Sequence, residues 1–172
     1  MADAERGALR AAPGGIVPRV LQSWWAPRRV VRGLSAMPEG AKLAVLMAAM
    51  LILLLAQAPA NMRMAQLDPS VPFEARMGGA LLAVMFMLPI LAYAFAGLVS
   101  LLSRLTPWRL SPEDSRLALF WALLAVAPAM LLAGLVAGLI GPGPALTVVQ
   151  VVCGAGFLAI WGAGLAALSR QR

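Results

Sequence analysis

The sequence predicts an all-α fold: a polytopic membrane protein with four transmembrane helices preceded by an amphipathic interfacial helix. Two observations carry this prediction. Apolar residues make up 62% of the 172 residues and charged residues only 12%, whereas a soluble domain has about 45–50% apolar and about 25% charged residues. The charged residues also leave long uncharged stretches between them. Such a chain cannot cover its apolar surface in water, so lipid is the expected solvent.

The spans are predicted from the places where charge is absent. Each uncharged stretch is long enough to cross a hydrocarbon core of about 30 Å. Pro59 is expected to end the first span. The run from 117 to 169 is too long for one crossing, and Gly141-Pro142-Gly143-Pro144 predicts a tight hairpin within it. The resulting transmembrane domain covers 43–169, with spans at about 43–60, 77–103, 117–140 and 145–168.

The segment before the first span has a different pattern. Residues 1–15 are predicted to be a flexible cytoplasmic leader, and 16–35 an amphipathic juxtamembrane helix. Pro27 should kink or restart that helix. One face of the helical wheel carries Ile16, Val20, Trp24, Pro27, Val31 and Leu34, and the far side carries Arg28, Arg29 and Arg32.

This segment supplies the predicted membrane-surface contact. Trp24 and Trp25 are expected at headgroup level, and Arg28, Arg29 and Arg32 are expected to attract anionic lipids. Each arginine near an anionic leaflet contributes about 1 kcal/mol, so attachment needs no partner. A juxtamembrane anchor is the simplest interpretation, and a curvature-sensing or partner-binding role stays open.

The positive-inside rule predicts the orientation. Of the 14 Lys and Arg residues, twelve precede span one, follow span four or lie between spans two and three; only Arg63 and Arg76 lie on the opposite side. Both termini are therefore expected in the cytoplasm. Lys42 is the only lysine among many arginines, and Ala and Gly are abundant, which is typical of a GC-rich bacterial genome. The expected location is the bacterial inner membrane.

No catalytic, cofactor-binding or metal site is predicted. The chain has no histidine, which removes the commonest general base and metal ligand. All acidic residues lie outside the spans, where they cannot relay charge across a membrane. Glu113 and Asp114 follow Ser111-Pro112, so they are expected to begin span three as capping residues. Nucleic acid is not an expected partner, because the positive residues flank apolar runs.

Small residues and prolines are predicted to shape the packing of the spans. Small residues at four-residue spacing allow helices to approach closely in lipid, and the hairpin is expected to bring spans three and four together. Packing within the chain is favoured over dimerisation, and a homo-oligomer or a membrane-protein partner remains open. Pro89 and Pro128 are predicted kinks. The predicted packing residues are Ala129, Ala133, Gly134, Ala137, Gly138, Ala155, Ala159 and Ala163.

The order of these features resembles the Ypt-interacting-protein (YIP) family of small polytopic membrane proteins, in its short bacterial form. The resemblance rests on the segment from Trp24 to Leu34, on Pro89 to Tyr93, and on Arg116 to Pro128. Eukaryotic relatives take part in vesicle trafficking with small GTPases, but their acidic and tyrosine-containing sequence is absent here and only Pro27 matches. The resemblance implies a membrane protein of the bacterial branch without a GTPase partner, although the family typically has five spans.

The sequence favours a non-enzymatic membrane protein that acts through lipid or membrane-protein contacts. The lack of catalytic residues and of charges within the spans motivates this hypothesis. The alternative is a small permease or an accessory subunit of a transport complex, which would use the kinks at Pro89 and Pro128 together with Tyr93.

Overall fold

The structure is a computed structural model that describes residues 15–105 and 109–169. The predicted leader, apart from Gly15, lies outside these residues. Within the described residues every regular element is helical, and four helices are long and apolar enough to cross a membrane. The predicted fold class is therefore confirmed in its four spans.

The described helices are numbered in chain order. Phe73–Ser103 forms one continuous span made of two α-helices and a π-helical turn between them. The predicted amphipathic helix is two short helices that restart at Pro27, as its proline predicts. The elements are α1 (Ile16–Gln22), α2 (Pro27–Gly33), α3 (Glu39–Leu67), α4 (Phe73–Leu82), the π-helical turn (Ala83–Met87), α5 (Leu88–Ser103), α6 (Pro112–Leu139) and α7 (Pro144–Leu168).

Helix α6 is the centre of the bundle. It is the most buried of the spans and packs against α3, α5 and α7, and also against α1 and α2. Phe120 and Trp121 on α6 are the largest fully buried side chains. The end of the bundle with Lys42, Arg104 and Arg116 is here called the basic end. The opposite end, where α6 turns into α7, is called the hairpin end.

The hairpin end is formed by the predicted glycine–proline turn. Gly141 has a φ of 93°, a left-handed conformation that glycine adopts without steric cost. Pro144 is the first residue of α7, where the missing proline N–H is not needed by the helix. The predicted hairpin is confirmed.

Pro59 does not end the first span, so that prediction was wrong. Helix α3 continues through Pro59 to Leu67. Pro59 packs against Gly138 of α6, where an added Cβ would lie 2.4 Å from the Pro59 Cβ. A proline is tolerated inside a spanning helix where neighbouring helices and local backbone adjustments satisfy the carbonyl that it leaves without a donor. The contact with Gly138 fills the space beside the ring.

The predicted cap of α6 is confirmed. The Ser111 hydroxyl accepts a hydrogen bond from the Asp114 backbone N–H at 3.0 Å, and Pro112 is the first helical residue. Glu113 and Asp114 lie in the first turn, where negative charge is favourable to the helix dipole. Helix α6 therefore begins five residues before the uncharged stretch at 117.

An ion-pair network joins α3 to α6 at the basic end. The Lys42 side chain is only 3% exposed, and its Nζ lies 2.8 Å from Glu39 Oε1 and 3.7 Å from Glu113 Oε2. Glu39 also accepts a hydrogen bond from Arg116 at 3.0 Å. Because Lys42 is buried, removing its nearest carboxylate would leave a charge with little solvent to compensate it.

The small residues pack differently from the prediction. Gly134 and Gly138 of α6 face α3, not α7: an added Cβ at Gly134 would lie 1.8 Å from the Ala56 carbonyl oxygen. Ala129 and Ala133 do pack towards α7, in a cluster that contains Cys153 and Ile160.

The alanine ridge of α7 points away from α6. Ala155 and Ala159 are exposed, and Ala163 is half-buried, as is Ala137 on α6. The larger side chains of Cys153 and Ile160 occupy the contact instead. The four-residue spacing was present on α7, but a spacing does not specify which side of a helix meets its neighbour.

Candidate membrane-contact site

Helix α2 packs lengthwise against the half of the bundle near the basic end. Its main neighbour is α7, with further contacts to α6. Val31 is fully buried and lies beside Gly164, where an added Cβ would be 3.5 Å from Val31 Cγ2 and 3.3 Å from Ala118 Cβ. The buried residues of this N-terminal segment are Val20, Ser23, Val30, Val31 and Leu34.

Ser23 connects the end of α1 to the centre of the bundle. The indole N–H of Trp121 donates to the Ser23 hydroxyl at 2.9 Å, and that hydroxyl donates to the Arg19 carbonyl at 2.7 Å. Both Ser23 and Trp121 are fully buried. The bond satisfies an indole donor that would otherwise be buried without an acceptor.

Trp24 makes a second polar contact with the bundle. Its indole N–H donates to the Ala125 carbonyl at 3.1 Å, and its ring faces Gly156, where an added Cβ would lie 2.8 Å from the ring. The accepting carbonyl is next to that of Leu124, for which Pro128 has no N–H to donate.

These contacts place Trp24 at half the length of the spans. Ala125 is halfway along α6 and Gly156 is halfway along α7. At 1.5 Å per residue, the Trp24 indole lies about 20 Å along α6 from Pro112. We expected Trp24 at headgroup level, and the structure instead places it against the middle of the bundle. The reason is specific packing: a glycine leaves room for the ring and a carbonyl accepts its N–H.

Trp25 and the arginines of α2 lie on the opposite side of the segment. Trp25 is 74% exposed, and Arg28, Arg29 and Arg32 are also exposed. Among residues 15–105 and 109–169, no carboxylate lies within ion-pairing distance of these three arginines. The predicted contact residues are therefore divided, with Trp24 against the bundle and the other four facing outward.

The two predicted kink prolines lie in different local structures. Pro89 lies two residues after the end of the π-helical turn Ala83–Met87, so the second span is locally unwound before it. Pro128 lies inside α6, which is continuous through it. A proline cannot supply its own helical hydrogen bond, and a π turn is one way of accommodating that loss.

Sequence reasoning missed the residues that fix Trp24 and Ser23. Trp121 and Gly156 belong to apolar runs and carry no pattern of their own. The one available signal was Ser23, a small polar residue beside two tryptophans, since a serine hydroxyl can accept an indole N–H. The position of a bonding partner about 100 residues away is not encoded in a local period.

Comparison of the chain with family models, with curated proteins and with solved structures gives no match.

Proposed function

We propose that this chain is a non-enzymatic integral membrane protein that acts on the lipids of the leaflet at its basic end. The observation that carries the proposal is the position of α2, which lies beside only that half of the bundle. Val31 contacts residues near the basic end, and Trp24 reaches the middle. The half towards the basic end thus contains α2 in addition to the four spans.

This asymmetry has a physical consequence in a bilayer. A helix inserted into one leaflet adds cross-section to that leaflet alone, and the binding of such helices depends on curvature and lipid composition. The wider half would favour membranes that bulge towards the basic end. The chain would then either prefer curved regions or help to form them.

The arginines of α2 support a role that involves lipid. An arginine at the centre of a bilayer costs about 2.5–3.5 kcal/mol on insertion scales, and the cost is avoided when the side chain reaches water or a phosphate. Arg28, Arg29 and Arg32 are exposed, and no carboxylate of residues 15–105 or 109–169 pairs with them. Lipid phosphates at the leaflet surface are the available anions.

The orientation and location are part of the same proposal. Lys42, Arg104, Arg109 and Arg116 lie near the basic end, whereas Arg63 and Arg76 lie near the hairpin end and Arg76 is paired with Asp68 at 3.3 Å. We place the basic end in the cytoplasm by the positive-inside rule, in a bacterial inner membrane. Membership of the YIP family, indicated by the segment from Trp24 to Leu34, is also a proposal.

The test measures how the protein is distributed between flat and curved membrane. Labelled protein is reconstituted with its basic end outward in giant vesicles from which narrow tethers are pulled. The intact chain is expected to be denser in the tether than in the vesicle. Val31→Arg should abolish this enrichment, because it places a cation in the contact between α2 and the bundle.

Val17→Arg is the matched control, since it adds the same charge at a side chain that is 70% exposed. It should leave the enrichment unchanged, and circular dichroism of Val31→Arg should show that the four spans remain helical. Equal density of the intact chain in tether and vesicle would contradict the proposal, as would enrichment that survives in Val31→Arg.

A small permease is the second candidate, and the π-helical turn before Pro89 is the observation that favours it, because such turns are frequent at functional sites. Two buried serines argue for the first proposal, because they bond within the protein instead of lining a path for a solute: Ser23 accepts from the Trp121 indole, and Ser115 donates to the Ala96 carbonyl at 2.8 Å. Solute flux into liposomes that disappears in Pro89→Ala or Tyr93→Phe would favour the permease.

A further inference from the structure

The outward side of α2 forms a cleft with a concentrated positive charge. The cleft has a volume of about 510 Å³ and is lined by Trp25, Ala26, Pro27, Arg28, Arg29 and Arg32. Its three cations, Arg28, Arg29 and Arg32, all lie on α2. Within the part of the chain that the structure describes, none of them is paired with a carboxylate.

We propose that this cleft binds the phosphate-bearing headgroup of an anionic phospholipid, in a position recessed below the leaflet surface. The proposal rests on the function proposed above and names the ligand of the same segment. Guanidinium groups bind phosphate oxygens through paired, charge-assisted hydrogen bonds. Basic pockets beside spanning helices on the cytoplasmic side are a recurrent form of lipid headgroup site.

The depth of the cleft favours a lipid over a soluble anion. Pro27 follows Trp24 by three residues, and Trp24 lies at half the length of α6. The cleft therefore extends from near the middle of the bundle towards the basic end. A lipid phosphate drawn inward remains attached to acyl chains that fill the surrounding apolar space, whereas a free phosphate ion would have to leave water.

The surroundings of the cleft suit acyl chains. Trp25 at its edge is 74% exposed, and Ala26 and Pro27 complete the apolar part of the lining. An aromatic ring with one apolar and one polar edge can contact both the headgroup and the acyl chains of a lipid that is drawn inward. Apolar side chains directly beside three cations match a molecule that is charged at one end and apolar at the other.

The number of cations favours a headgroup with more than one negative charge. A single phosphodiester would neutralise one of the three guanidinium groups, whereas a lipid with two phosphates would neutralise two. The expected order of binding is therefore a two-phosphate lipid such as cardiolipin first, a singly charged phosphatidylglycerol second, and zwitterionic phosphatidylcholine last.

The test measures retained lipid directly. The full chain is reconstituted in nanodiscs of phosphatidylcholine that contain a minority of cardiolipin or of phosphatidylglycerol, and the lipid that remains bound after transfer to mild detergent is counted by native mass spectrometry. Each arginine near an anionic phosphate contributes roughly fivefold in affinity. The triple variant R28Q/R29Q/R32Q is therefore expected to lose cardiolipin retention by about a hundredfold.

The matched control is R104Q/R109Q. These two arginines line another open cleft at the basic end, together with Leu110, Ser111 and Pro112. Their removal lowers the charge of that end without touching α2, so retention should stay within about twofold of the intact chain. An equal loss in both variants would show a general surface-charge effect and would overturn the proposed site.

Two further arms identify the source of the phosphate and separate the two proposals. Inorganic phosphate or glycerol phosphate in millimolar excess should not displace the lipid; displacement would assign the cleft to a soluble anion and overturn the lipid proposal. Unchanged retention in the triple variant would overturn it as well. Tether enrichment of the intact chain would stand in either case, whereas lost enrichment with intact lipid retention would overturn only the curvature function.

Discussion

Ser23 and Trp24 are the residues that attach the N-terminal helices to the spans. Ser23 accepts the indole N–H of Trp121, and Trp24 donates its own indole N–H to the Ala125 carbonyl. Inside a membrane bundle no water is present to hydrogen-bond a polar group, so a polar group without a protein partner destabilises the fold. The two bonds therefore fix where the chain enters the bundle, and apolar packing around Val31 supplies the contact area.

A double-mutant cycle at Ser23 and Trp121 tests this attachment. Ser23→Ala and Trp121→Phe should each lower the free energy of unfolding in detergent by about 1 kcal/mol or more, because each removes one partner of a buried hydrogen bond. The double variant should lose less than the sum of the two, by roughly 0.5–1.5 kcal/mol.

Ser35→Ala serves as the control for the cycle. The Ser35 hydroxyl donates to the Arg32 carbonyl at 2.9 Å in an exposed position, so its removal should change stability by less than about 0.5 kcal/mol. Strict additivity of Ser23→Ala and Trp121→Phe would show that the two side chains do not interact.

At the scale of whole helices, the contact between α3 and α6 depends on two glycines of α6. Gly134 lies so close to α3 that an added Cβ would stand 1.8 Å from the Ala56 carbonyl oxygen. In lipid there is little hydrophobic drive between helices, so the van der Waals contacts made by such a close backbone approach stabilise the pair instead. The same approach accommodates Pro59 beside Gly138 and keeps α3 helical through its proline.

Gly134→Ala is expected to separate α3 from α6. Because the new methyl group meets backbone rather than a flexible side chain, the helices must shift, at a cost of about 1–3 kcal/mol. Thermal unfolding in detergent should show a lower midpoint.

Gly154→Ala is the matched control for this substitution, since nothing lies within 4 Å of an added Cβ there. Its midpoint should stay the same or rise slightly, as alanine favours a helix over glycine. A midpoint for Gly134→Ala equal to that of Gly154→Ala would contradict the packing of α3 on α6.

The ion-pair network at the basic end provides a second test of the packing of α3 on α6. Glu39→Gln removes the carboxylate shared by Lys42 and Arg116, and Lys42 is then left buried with only the more distant Glu113. We expect a loss of about 2 kcal/mol in the free energy of unfolding.

Glu74→Gln removes an exposed acid from the first turn of α4 and should cost less than about 1 kcal/mol. An equal loss of stability in Glu39→Gln and Glu74→Gln would show that the network contributes no more than a helix-end charge. Chemical denaturation of both variants in the same detergent decides between these outcomes.

At this scale the sequence predicts helices better than it predicts their partners. The uncharged stretches located all four spans, and Ser111-Pro112 located the start of α6, because these signals are local. Whether Gly134 faces α3 or α7 depends on the rotation and order of the helices. A repeated spacing of small residues gives neither the rotation nor the order of the helices. The partner of Gly134 and the outward position of Ala155 could therefore not be predicted from the sequence.

The whole molecule is asymmetric along the axis of its spans. The half towards the basic end contains α2 in addition to the four spans, and it carries most of the positive charge. The outward face of α2 could be predicted from its arginines, since the helical wheel separates Arg28, Arg29 and Arg32 from Val31. Its depth could not, because a periodic pattern shows which face is apolar and not how far the helix is inserted.

The number of spans determines the topology of the termini. With four spans, both ends of the chain should lie on the same side of the membrane, and the positive-inside rule assigns that side to the cytoplasm. Reporter domains fused to either end should therefore both show cytoplasmic activity. Reporters in opposite compartments would contradict a topology of four spans and would mean that the N-terminal segment makes a fifth crossing.

The depth of the N-terminal segment tests the central claim most directly. Cys153 is the only cysteine, so Cys153→Ala gives a background in which Trp25→Cys or Ser35→Cys carries a single nitroxide label. The collision rates of each label with oxygen and with a water-soluble nickel chelate report its depth in a bilayer. We predict that the label at position 25 lies deep in the hydrocarbon and well below the label at position 35. Equal depths at the headgroup level would contradict the insertion of α2 beside the bundle.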